Sequence, residues 1–565
     1  MIVPKIIAIW YTFTSSTNES GFDLRGCLST YFFSYIEMKY KILITGALHP
    51  LALEILRTAP DAEVAYHPDI PYAEVIKMMA GCHALVTRSE TKVTREMIDA
   101  GRKLKVLARA AVGIGNIDVD YATEKGILVI NTPGKNTNSA AELTLSLLLA
   151  AVRKVVPAHA RMKELGWDRH NFTGIELMGK TIGIIGLGNV GHRVARFCRA
   201  FDMEVLAYDP YISDEVFERN HTHKVALETL VTDSDVISIH VPLTRETTNM
   251  LREEHFERMK HGVIVVNTAR GGLINEKALL EALKSGKVSA AGIDTWEVEP
   301  PQENPFRDLP NVVMTPHIGA STEEAQKRIA ESIGEQTLRA LRDEVVDYPV
   351  NMPRLKVLTS PRVKYYVVLA EKLGGFAMQS LDFNPRRIEV MYRGELNSEE
   401  GSLVRRAFLK GFLKNTTDDA VTFVNAEQKA AQRHIEISEV NDPGFSDYQS
   451  AVKFIISDHD QVFKIGGVVF GENNYRLSLV NDFTFEVIPD GHLLYVINND
   501  RPGVIGDIGT TLAKNNVNIS QFELSRNMPG GQAMSLLRVD TSISDEVLAV
   551  LRAIRNVVSV RRISI

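Results

Sequence analysis

Three glycines stand between a β-rich segment and a helical segment in the middle of the chain. Residues 181–185 have strand-like composition, Gly186, Gly188 and Gly191 follow, and residues 192–200 are helical in pattern. In a strand-turn-helix unit the first glycine permits the tight turn, the second lets the backbone approach a pyrophosphate, and the third lets the helix pack on the strand. Because helix N-termini attract phosphate, this spacing predicts a dinucleotide site.

Asp209 supplies the second half of that site. It ends the next β-rich segment, residues 203–208. A carboxylate at this position accepts hydrogen bonds from the adenosine ribose hydroxyls, and it would repel the 2′-phosphate of NADP. No arginine immediately follows Asp209 to compensate that repulsion. We therefore predict that the cofactor is NAD and that the chain is an oxidoreductase.

Three more side chains, Arg270, Glu299 and His317, each follow a β-rich segment closely. Open parallel sheets bind ligands at the carboxyl ends of their strands, so we expect the three to meet at one edge. Hydride transfer at a hydroxyl-bearing carbon needs a general acid/base and a cation for the substrate oxygens. A carboxylate beside an imidazole fixes its tautomer and stabilises its protonated form, and a guanidinium holds a carboxylate through two parallel hydrogen bonds. Singly, each residue is equally well interpreted as a turn, surface or packing residue; together they form a complete set.

The length, composition and net charge of the chain exclude several classes of protein. At 565 residues and 45% hydrophobic content, the chain is long enough for about four domains. The formal net charge of -6 gives no general attraction for nucleic acid or for an anionic membrane surface, and no apolar stretch is long enough for a membrane span. Cys27, Cys82 and Cys198 are too few and too far apart for a disulfide framework or a metal cluster, so we predict no metal and a cytoplasmic location.

Alternation of β-rich and helical segments indicates how the chain is organised. Residues 38–140 and 181–316 have the alternation of two parallel α/β units, and residues 321–342 are predicted to be helical. Residues 357–486 form a third region for which no chemistry is predicted, and residues 492–565 have the pattern of a compact α+β module. Residues 1–37 are predicted to be a tail that is poorly ordered or not native.

Several motifs together resemble the D-isomer-specific 2-hydroxyacid dehydrogenases over residues 38–353. They are the glycine motif with Asp209, His240-Val-Pro-Leu, Asn267-Thr-Ala-Arg-Gly-Gly, Gly292-Ile-Asp-Thr-Trp-Glu-Val-Glu-Pro and Pro316-His-Ile-Gly-Ala-Ser. The resemblance implies that Arg270, Glu299 and His317 are catalytic. It also implies that NAD is held by Thr91, Gly186, Gly188, Asn189, Val190, Gly191, Asp209, Val241, Pro242, Thr268, Ala269, Arg270, Asp294, His317, Gly319 and Ala320.

The sequences Arg88-Ser-Glu-Thr and Asn131-Thr-Pro-Gly resemble the substrate-domain motifs of the phosphoglycerate branch of this family. That resemblance implies D-3-phosphoglycerate as substrate, Arg88 as its phosphate ligand, and a substrate site formed by Arg88, Ser89, Val112, Gly113, Arg270 and His317. One stretch departs from the family, because Gly115 stands where aspartate is usual and Ala111 where glycine is common. The alternatives are another D-2-hydroxy acid, such as glycerate or 2-hydroxyglutarate, and an NAD-sensing relative without turnover. A surface role for Arg88 also stays open.

The C-terminal module, with Asn498, Asp500, Pro502 and Asn518, resembles an ACT domain, a fold that commonly binds amino acids at a paired interface. We expect Asp500 to cap a helix whose first turn contains Pro502, so that backbone donors meet an amino acid carboxylate. The effector residues are then Asn498, Asp500 and Asn518, and the layout resembles the long form of the family, which implies feedback by L-serine and a homodimer or homotetramer. A module used only for dimerisation is the alternative.

The resemblance thus implies an α/β protein with two Rossmann-like domains, the cofactor domain inserted in the substrate domain, followed by α+β intervening and ACT domains. The expected boundaries are residues 38–140 with 321–350 for the substrate domain, 141–320 for the NAD-binding domain, 351–487 for the intervening domain and 488–565 for the ACT domain.

Overall fold

The computed structural model describes residues 39–565 with the exception of Ser89, 354–361, Glu395, Asn397, Asn415, 417–419, 442–447, Gln449 and 472–473. Four β-sheets account for its strands. The predicted tail, residues 1–37, and the predicted substrate residue Ser89 lie outside the described residues.

The first sheet is parallel, with strand order β2-β1-β3-β4-β5. Its central strands are buried on both faces, as in Ile42, Leu43 and Ile44 of β1, because helices cover both sides. The elements are β1 (Tyr40–Thr45), α1 (Pro50–Thr58), β2 (Ala62–His67), α2 (Tyr72–Met79), β3 (Ala84–Thr87), α3 (Arg95–Ala100), β4 (Val106–Arg109), α4 (Val119–Glu124) and β5 (Leu128–Ile130).

The second sheet has seven parallel strands in the order β12-β11-β10-β9-β6-β7-β8. The chain leaves β6 for β7 on one side and then crosses to β9 on the other, so the crevice outside the carboxyl ends of β6 and β9 is the expected ligand position. The elements are β6 (Thr181–Ile185), α7 (Gly191–Ala200), β7 (Glu204–Tyr208), α8 (Asp214–Arg219), β8 (His223–Lys224), α9 (Leu227–Asp233), β9 (Val236–Ile239), α10 (Glu253–Arg258), β10 (Val263–Asn267), α11 (Glu276–Lys284), β11 (Val288–Ile293) and β12 (Val312–Met314).

Two helices join the sheets. Helix α5 (Thr137–Val152) leads from the first sheet to the second, followed by α6 (Val155–Lys163) and a 3-10 turn (Arg169–Phe172). Helix α12 (Glu323–Leu341), capped by Thr322 Oγ1, which accepts from Ala325 N over 3.2 Å, returns and packs in the core of the first sheet through Ile329 and Ile333. The second sheet is therefore an insertion in the first domain, which confirms the two predicted Rossmann-like domains.

The third sheet is mixed, in the order β14-β13-β15-β16-β17-β18, and three helices accompany it. Aromatic residues fill its core; the Phe408 and Phe454 rings stack with centroids 3.7 Å apart. The elements are α13 (Val363–Ser380), β13 (Arg387–Arg393), α14 (Ser398–Leu413), α15 (Ala426–Gln432), β14 (Glu436–Asn441), β15 (Ala451–Ser457), β16 (Val462–Phe470), β17 (Asn474–Val480) and β18 (Phe483–Val487).

The C-terminal sheet is antiparallel, in the order β20-β21-β19-β22. One face packs on its own two helices, and the other face, with Tyr495, Met534 and Leu536, joins the core of the intervening domain. The elements are β19 (His492–Asn499), α16 (Val504–Lys514), β20 (Ile519–Arg526), β21 (Gln532–Val539), α17 (Asp545–Arg552) and β22 (Val557–Ser564), which confirms the predicted α+β module.

Within the described ranges, no helix has both the length and the apolar content that a membrane span requires. Nor do the described residues bring together three potential metal ligands.

Candidate active site

The glycine turn follows β6 as predicted, and its three glycines do different things. Gly186 has a φ of +93°, and a Cβ built there would lie 2.8 Å from Val241 Cγ1. A Cβ at Gly191 would overlap the Gly186 carbonyl oxygen. At Gly188 an added Cβ would meet no protein atom within 4 Å. The backbone at Gly188 therefore faces open space at the start of α7, and this cradle fits a pyrophosphate.

Asp209 is held beside the same turn. Its Oδ2 accepts a hydrogen bond from Leu187 N over 3.0 Å, and its Oδ1 accepts from Tyr211 N over 3.0 Å. A carboxylate with two such bonds keeps further lone pairs for ribose hydroxyls. Val241 and Pro242 follow β9, the neighbouring strand at the switch point. These residues therefore surround the crevice where the topology places a dinucleotide.

His317 and Glu299 form a direct pair. The His317 Nδ1 lies 2.7 Å from Glu299 Oε2, and the Trp296 backbone N–H donates to Glu299 Oε1 over 3.0 Å. Burial alone would raise the pKa of the Glu299 carboxyl, but the hydrogen bonds from His317 and Trp296 outweigh it and hold that pKa below its ordinary value. Glu299 is thus ionised at neutral pH, and its bond to Nδ1 leaves Nε2 of His317 for a substrate.

Asp294, which is fully buried, holds the loop that carries His317. Asp294 Oδ1 accepts from Thr315 Oγ1 over 2.6 Å and from Ile318 N over 2.8 Å, and its Oδ2 accepts from Gly319 N over 2.9 Å. His317 itself has a φ of +54°, a conformation uncommon outside glycine, which this network stabilises. Asp294 therefore positions the loop, and a direct contact with NAD stays a prediction.

Arg270 is placed by a tight turn after β10. Asn267 Nδ2 donates to Arg270 O over 2.9 Å, and Asn267 Oδ1 accepts from Ala269 N over 3.0 Å. Burial lowers the pKa of the guanidinium, whereas the charge of Glu299 favours its protonated form. A Cβ built at Gly113 would lie 3.2 Å from Arg270 Nη2. Arg270 therefore reaches across to the substrate domain, and the three predicted catalytic residues lie between the two domains.

Arg109, which the sequence motifs did not identify, also lies beside this site. It ends β4 and is only 5% exposed, and its Nε donates to Gly113 O over 3.0 Å. Burial lowers its pKa to about 10, the charge of Glu90 opposes this, and Arg88 and Arg270 add to the lowering. Its position at the carboxyl end of a buried parallel strand was the available signal.

Arg88 acts electrostatically on Arg109, and its role as a phosphate ligand stays a prediction. The Arg88 Nη1 donates to Ala47 O over 2.7 Å. A Cβ built at Gly46 would lie 3.1 Å from the Cβ of Arg88. The charges of Arg88 and Arg270 both act on the guanidinium of Arg109. A concentration of positive charge beside the catalytic pair can hold an anionic substrate with two acidic groups.

The other predicted residues are distributed around this crevice. Thr91 Oγ1 donates to Thr45 Oγ1 over 2.9 Å, Thr268 Oγ1 lies 2.6 Å from Thr144 Oγ1, and Val112 O accepts from Asn131 Nδ2 over 2.8 Å. The other positions are Asn189 and Val190 in the glycine turn, Ala269 in the Arg270 turn, and Gly319 and Ala320 after His317. Their contacts with NAD stay predictions.

Comparisons with known proteins agree with this geometry along the chain. Residues 145–319 match the D-isomer specific 2-hydroxyacid dehydrogenase NAD binding domain, residues 362–481 the D-3-phosphoglycerate dehydrogenase intervening domain, and residues 492–556 the ACT domain. D-3-phosphoglycerate dehydrogenase of Methanocaldococcus jannaschii is 42% identical over 526 residues, which are 93% of this chain and 100% of that protein. The same enzyme of Bacillus subtilis is 36% identical over 482 residues, 85% of this chain and 92% of that protein.

The chain belongs to the D-3-phosphoglycerate dehydrogenase family. Among solved structures, one from Thermus thermophilus is 37% identical with a TM-score of 0.51, over 55% of this chain and 99% of that one. A glyoxylate reductase from Paecilomyes thermophila is 29% identical with a TM-score of 0.51, over 55% of this chain and 98% of that one. In both cases the matched part of this chain has the length of a catalytic unit without the two C-terminal domains. The family assignment gives the cofactor as NAD and confirms the predicted intervening and ACT domains.

The ACT domain places its predicted effector residues differently from expectation. Helix α16 begins at Val504 after Gly503, whose φ is +97°, so neither Asp500 nor Pro502 is in the helix and the predicted cap is wrong. Asp500 Oδ2 instead accepts from Gly530 N over 3.1 Å, because the turn between β20 and β21 lies beside it. Asn498 is buried in β19, and Asn518 is exposed with its Nδ2 2.7 Å from Asp540 Oδ2.

Proposed function

We propose that this chain catalyses the NAD-dependent oxidation of D-3-phosphoglycerate to 3-phosphohydroxypyruvate, the first step of L-serine biosynthesis. The observation that carries the proposal is the His317–Glu299 pair facing Arg270 at the seam between the domains, with Arg88 and Arg109 beside it. Membership of the D-3-phosphoglycerate dehydrogenase family supports the same substrate.

The residues of the chain account for the proton and the substrate's charges. His317 Nε2 takes the proton of the C2 hydroxyl during oxidation and returns it during reduction, while ionised Glu299 stabilises the imidazolium. Arg270 holds the carboxylate next to C2 through its two parallel N–H groups. NAD, when bound, supplies the acceptor for the C2 hydride. Arg88 and Arg109 bind the substrate's phosphate. This role explains why the site has two cations in addition to Arg270.

An absorbance assay tests this function directly. The purified chain with NAD should reduce the cofactor in the presence of D-3-phosphoglycerate, and D-glycerate or D-2-hydroxyglutarate should react more slowly by at least about tenfold in kcat/KM, since neither carries the phosphate. Equal or faster turnover of D-glycerate or D-2-hydroxyglutarate would replace the substrate in our proposal. NAD binding without turnover of any of the three would leave an NAD-sensing protein.

We also propose that the enzyme is a homodimer or homotetramer in the cytoplasm. A stretch after α5 concentrates exposed apolar side chains, with Leu165 93% and Trp167 77% exposed and Met162 and Met178 also largely exposed. Apolar patches of this kind mark interfaces, and self-complementary pairing is the commonest way to cover them. Cys82 and Cys198 are both free thiols, which favours a reducing compartment.

Trp167→Glu should lower the mass of the assembly to about half of the wild-type value, because a charge in a self-associating apolar patch opposes burial. Light scattering after size-exclusion chromatography measures this. Val462→Glu is the matched control, since Val462 is also exposed and lies in the intervening domain. An unchanged mass for Trp167→Glu would show that this patch is not an interface.

L-serine is the proposed effector of the ACT domain, with Asn498, Asp500 and Asn518 as its ligands. Asn498 supports this proposal, since its Oδ1 is buried and has no hydrogen-bond partner among the described residues. A buried unpaired amide oxygen is costly unless a ligand or water meets it. Titration of L-serine with simultaneous measurement of binding and rate tests the proposal. If no serine binds at millimolar concentration, the ACT domain serves only dimerisation.

A further inference from the structure

The intervening domain contacts the substrate domain at the turn between α4 and β5. Thr422 Oγ1 donates to Gly126 O over 2.9 Å, and Asn425 Nδ2 donates to Glu124 O over 3.3 Å. Gly126 has a φ of +74°, and a Cβ built there would lie 2.7 Å from Thr422 Oγ1 and 2.8 Å from Asn425 Nδ2. The turn and residues 422–425 are therefore in close contact, with no room for a side chain at Gly126.

Residues 420–425 are joined to one another and to the core of the intervening domain. Asn425 is 0% exposed; its Oδ1 accepts from Thr422 N over 2.8 Å, and its Nδ2 also donates to Ala420 O over 3.1 Å. Helix α15 starts at the next residue, Ala426, which lies with Val421 in the hydrophobic core of the domain. The position of the loop is therefore set by the core of the intervening domain.

On the other side of the contact, the turn ends helix α4, which has only six residues. The helix is capped at its start by Asp118, whose Oδ1 accepts from Tyr121 N over 3.0 Å and whose Oδ2 accepts from Arg95 Nε over 2.8 Å. The hydrogen bonds of the helix and its cap link its last residue to Asp118 and the preceding loop, about two turns away.

The loop before α4, residues 113–118, lies against the catalytic machinery. Gly113 faces the Arg270 guanidinium, and its carbonyl accepts from Arg109 Nε. Asn116 Nδ2 donates to Arg88 O over 3.1 Å and to Thr91 O. The loop thus contacts the guanidiniums of Arg109 and Arg270 and holds the backbone of Arg88. It is continuous with the helix that the intervening domain holds.

We propose that Thr422 and Asn425 are positioning residues for the substrate site. They fix the α4–β5 turn, and through α4 they hold the loop of residues 113–118 in the position that brings Arg88, Arg109 and Arg270 together. A movement of the intervening domain would thereby change substrate affinity more than NAD affinity, since the glycine turn and Asp209 are built on the second sheet. The kinetic part of this inference rests on the function proposed above.

The test compares Thr422→Val, which keeps the shape of the side chain and removes the hydroxyl, with Thr422→Ser, which retains it. In the full-length enzyme, Thr422→Val should raise KM for 3-phosphohydroxypyruvate roughly fivefold, the equivalent of one lost hydrogen bond, with kcat and the Kd for NADH changed by less than about twofold. Amide exchange should become faster in residues 113–126. Thr422→Ser should match the wild type.

Thr484→Val is the matched control, because Thr484 is exposed on β18 of the same domain. Gly126→Ala disturbs the same contact on the side of the substrate domain. It should reproduce the KM increase, since its Cβ would collide with both positioning residues. The proposal is overturned if folded Thr422→Val has the KM and the exchange of the wild type, or if Thr422→Ser or Thr484→Val changes them equally. If wild-type enzyme does not reduce 3-phosphohydroxypyruvate, the substrate assignment fails, and the exchange experiment still decides this inference.

Discussion

His317→Ala should remove turnover, with kcat reduced at least about 10³-fold, and should leave the affinity for NADH within a factor of about two. The imidazole is the only group of the catalytic set that can move a proton at neutral pH, because Glu299 is paired to its Nδ1 and is held ionised. The glycine turn and Asp209, which form the NAD crevice, lie on other strands and are untouched. Steady-state kinetics and a fluorescence titration with NADH measure the two quantities.

His317→Asn is the companion variant, because the backbone at this position has a φ of +54° and asparagine tolerates that conformation better than alanine. Equal losses in the two variants assign the effect to the missing acid/base and not to a distorted loop. If either variant kept a normal kcat, His317 would have no part in the proton transfer. A loss of NADH binding in both would instead make it a structural residue of the crevice.

Arg270→Lys should reduce kcat/KM about 10²-fold although the charge is kept. Lysine cannot present two parallel N–H groups to the substrate carboxylate, and it cannot reproduce the guanidinium contact with Gly113. The site around Arg270 is half-buried, so an imperfectly paired charge there is not compensated by water. Initial rates as a function of substrate concentration measure the change.

Arg307→Lys serves as the control for that substitution, since Arg307 is exposed in the same domain and contacts no catalytic residue in the described structure. A fall of less than about threefold for Arg270→Lys would mean that a point charge suffices and that the bidentate arrangement is not used.

The order of motifs along a parallel sheet made much of the site predictable. Gly186, Asp209, Arg270, Glu299 and His317 each follow a strand, and parallel strands bring their carboxyl ends to one edge. Their convergence could therefore be predicted without coordinates, and the His317–Glu299 hydrogen bond agrees with it.

Features that depend on distant packing were not predictable in the same way. The position of Arg109 at the end of a parallel strand is a signal that the other strand ends share, and its burial and its contact with Gly113 distinguish it only in the structure. The network of Asp294 beneath the His317 loop depends on the left-handed backbone at His317, for which the sequence has no glycine signal. Asp500 was predicted as a helix cap, yet Gly503 begins the turn and Asp500 pairs with Gly530 N, about thirty residues away.

The contact of the intervening domain is another case of this kind. Asn425 and Gly126 are far apart in sequence, and neither belongs to a motif that carries chemistry. The contact between them depends on how the intervening domain packs against the substrate domain. Local sequence patterns do not encode that packing.

The ratio of kcat/KM for 3-phosphohydroxypyruvate to that for hydroxypyruvate, with NADH as reductant, tests the central claim most directly. The two ketones differ only by the phosphate, which we assign to Arg88 and Arg109. We predict that the ratio is at least about 10² for the wild type and falls at least about tenfold in Arg88→Ala, because a charge-assisted contact is lost. A ratio near one in the wild type would contradict the assignment of this chain to phosphoglycerate.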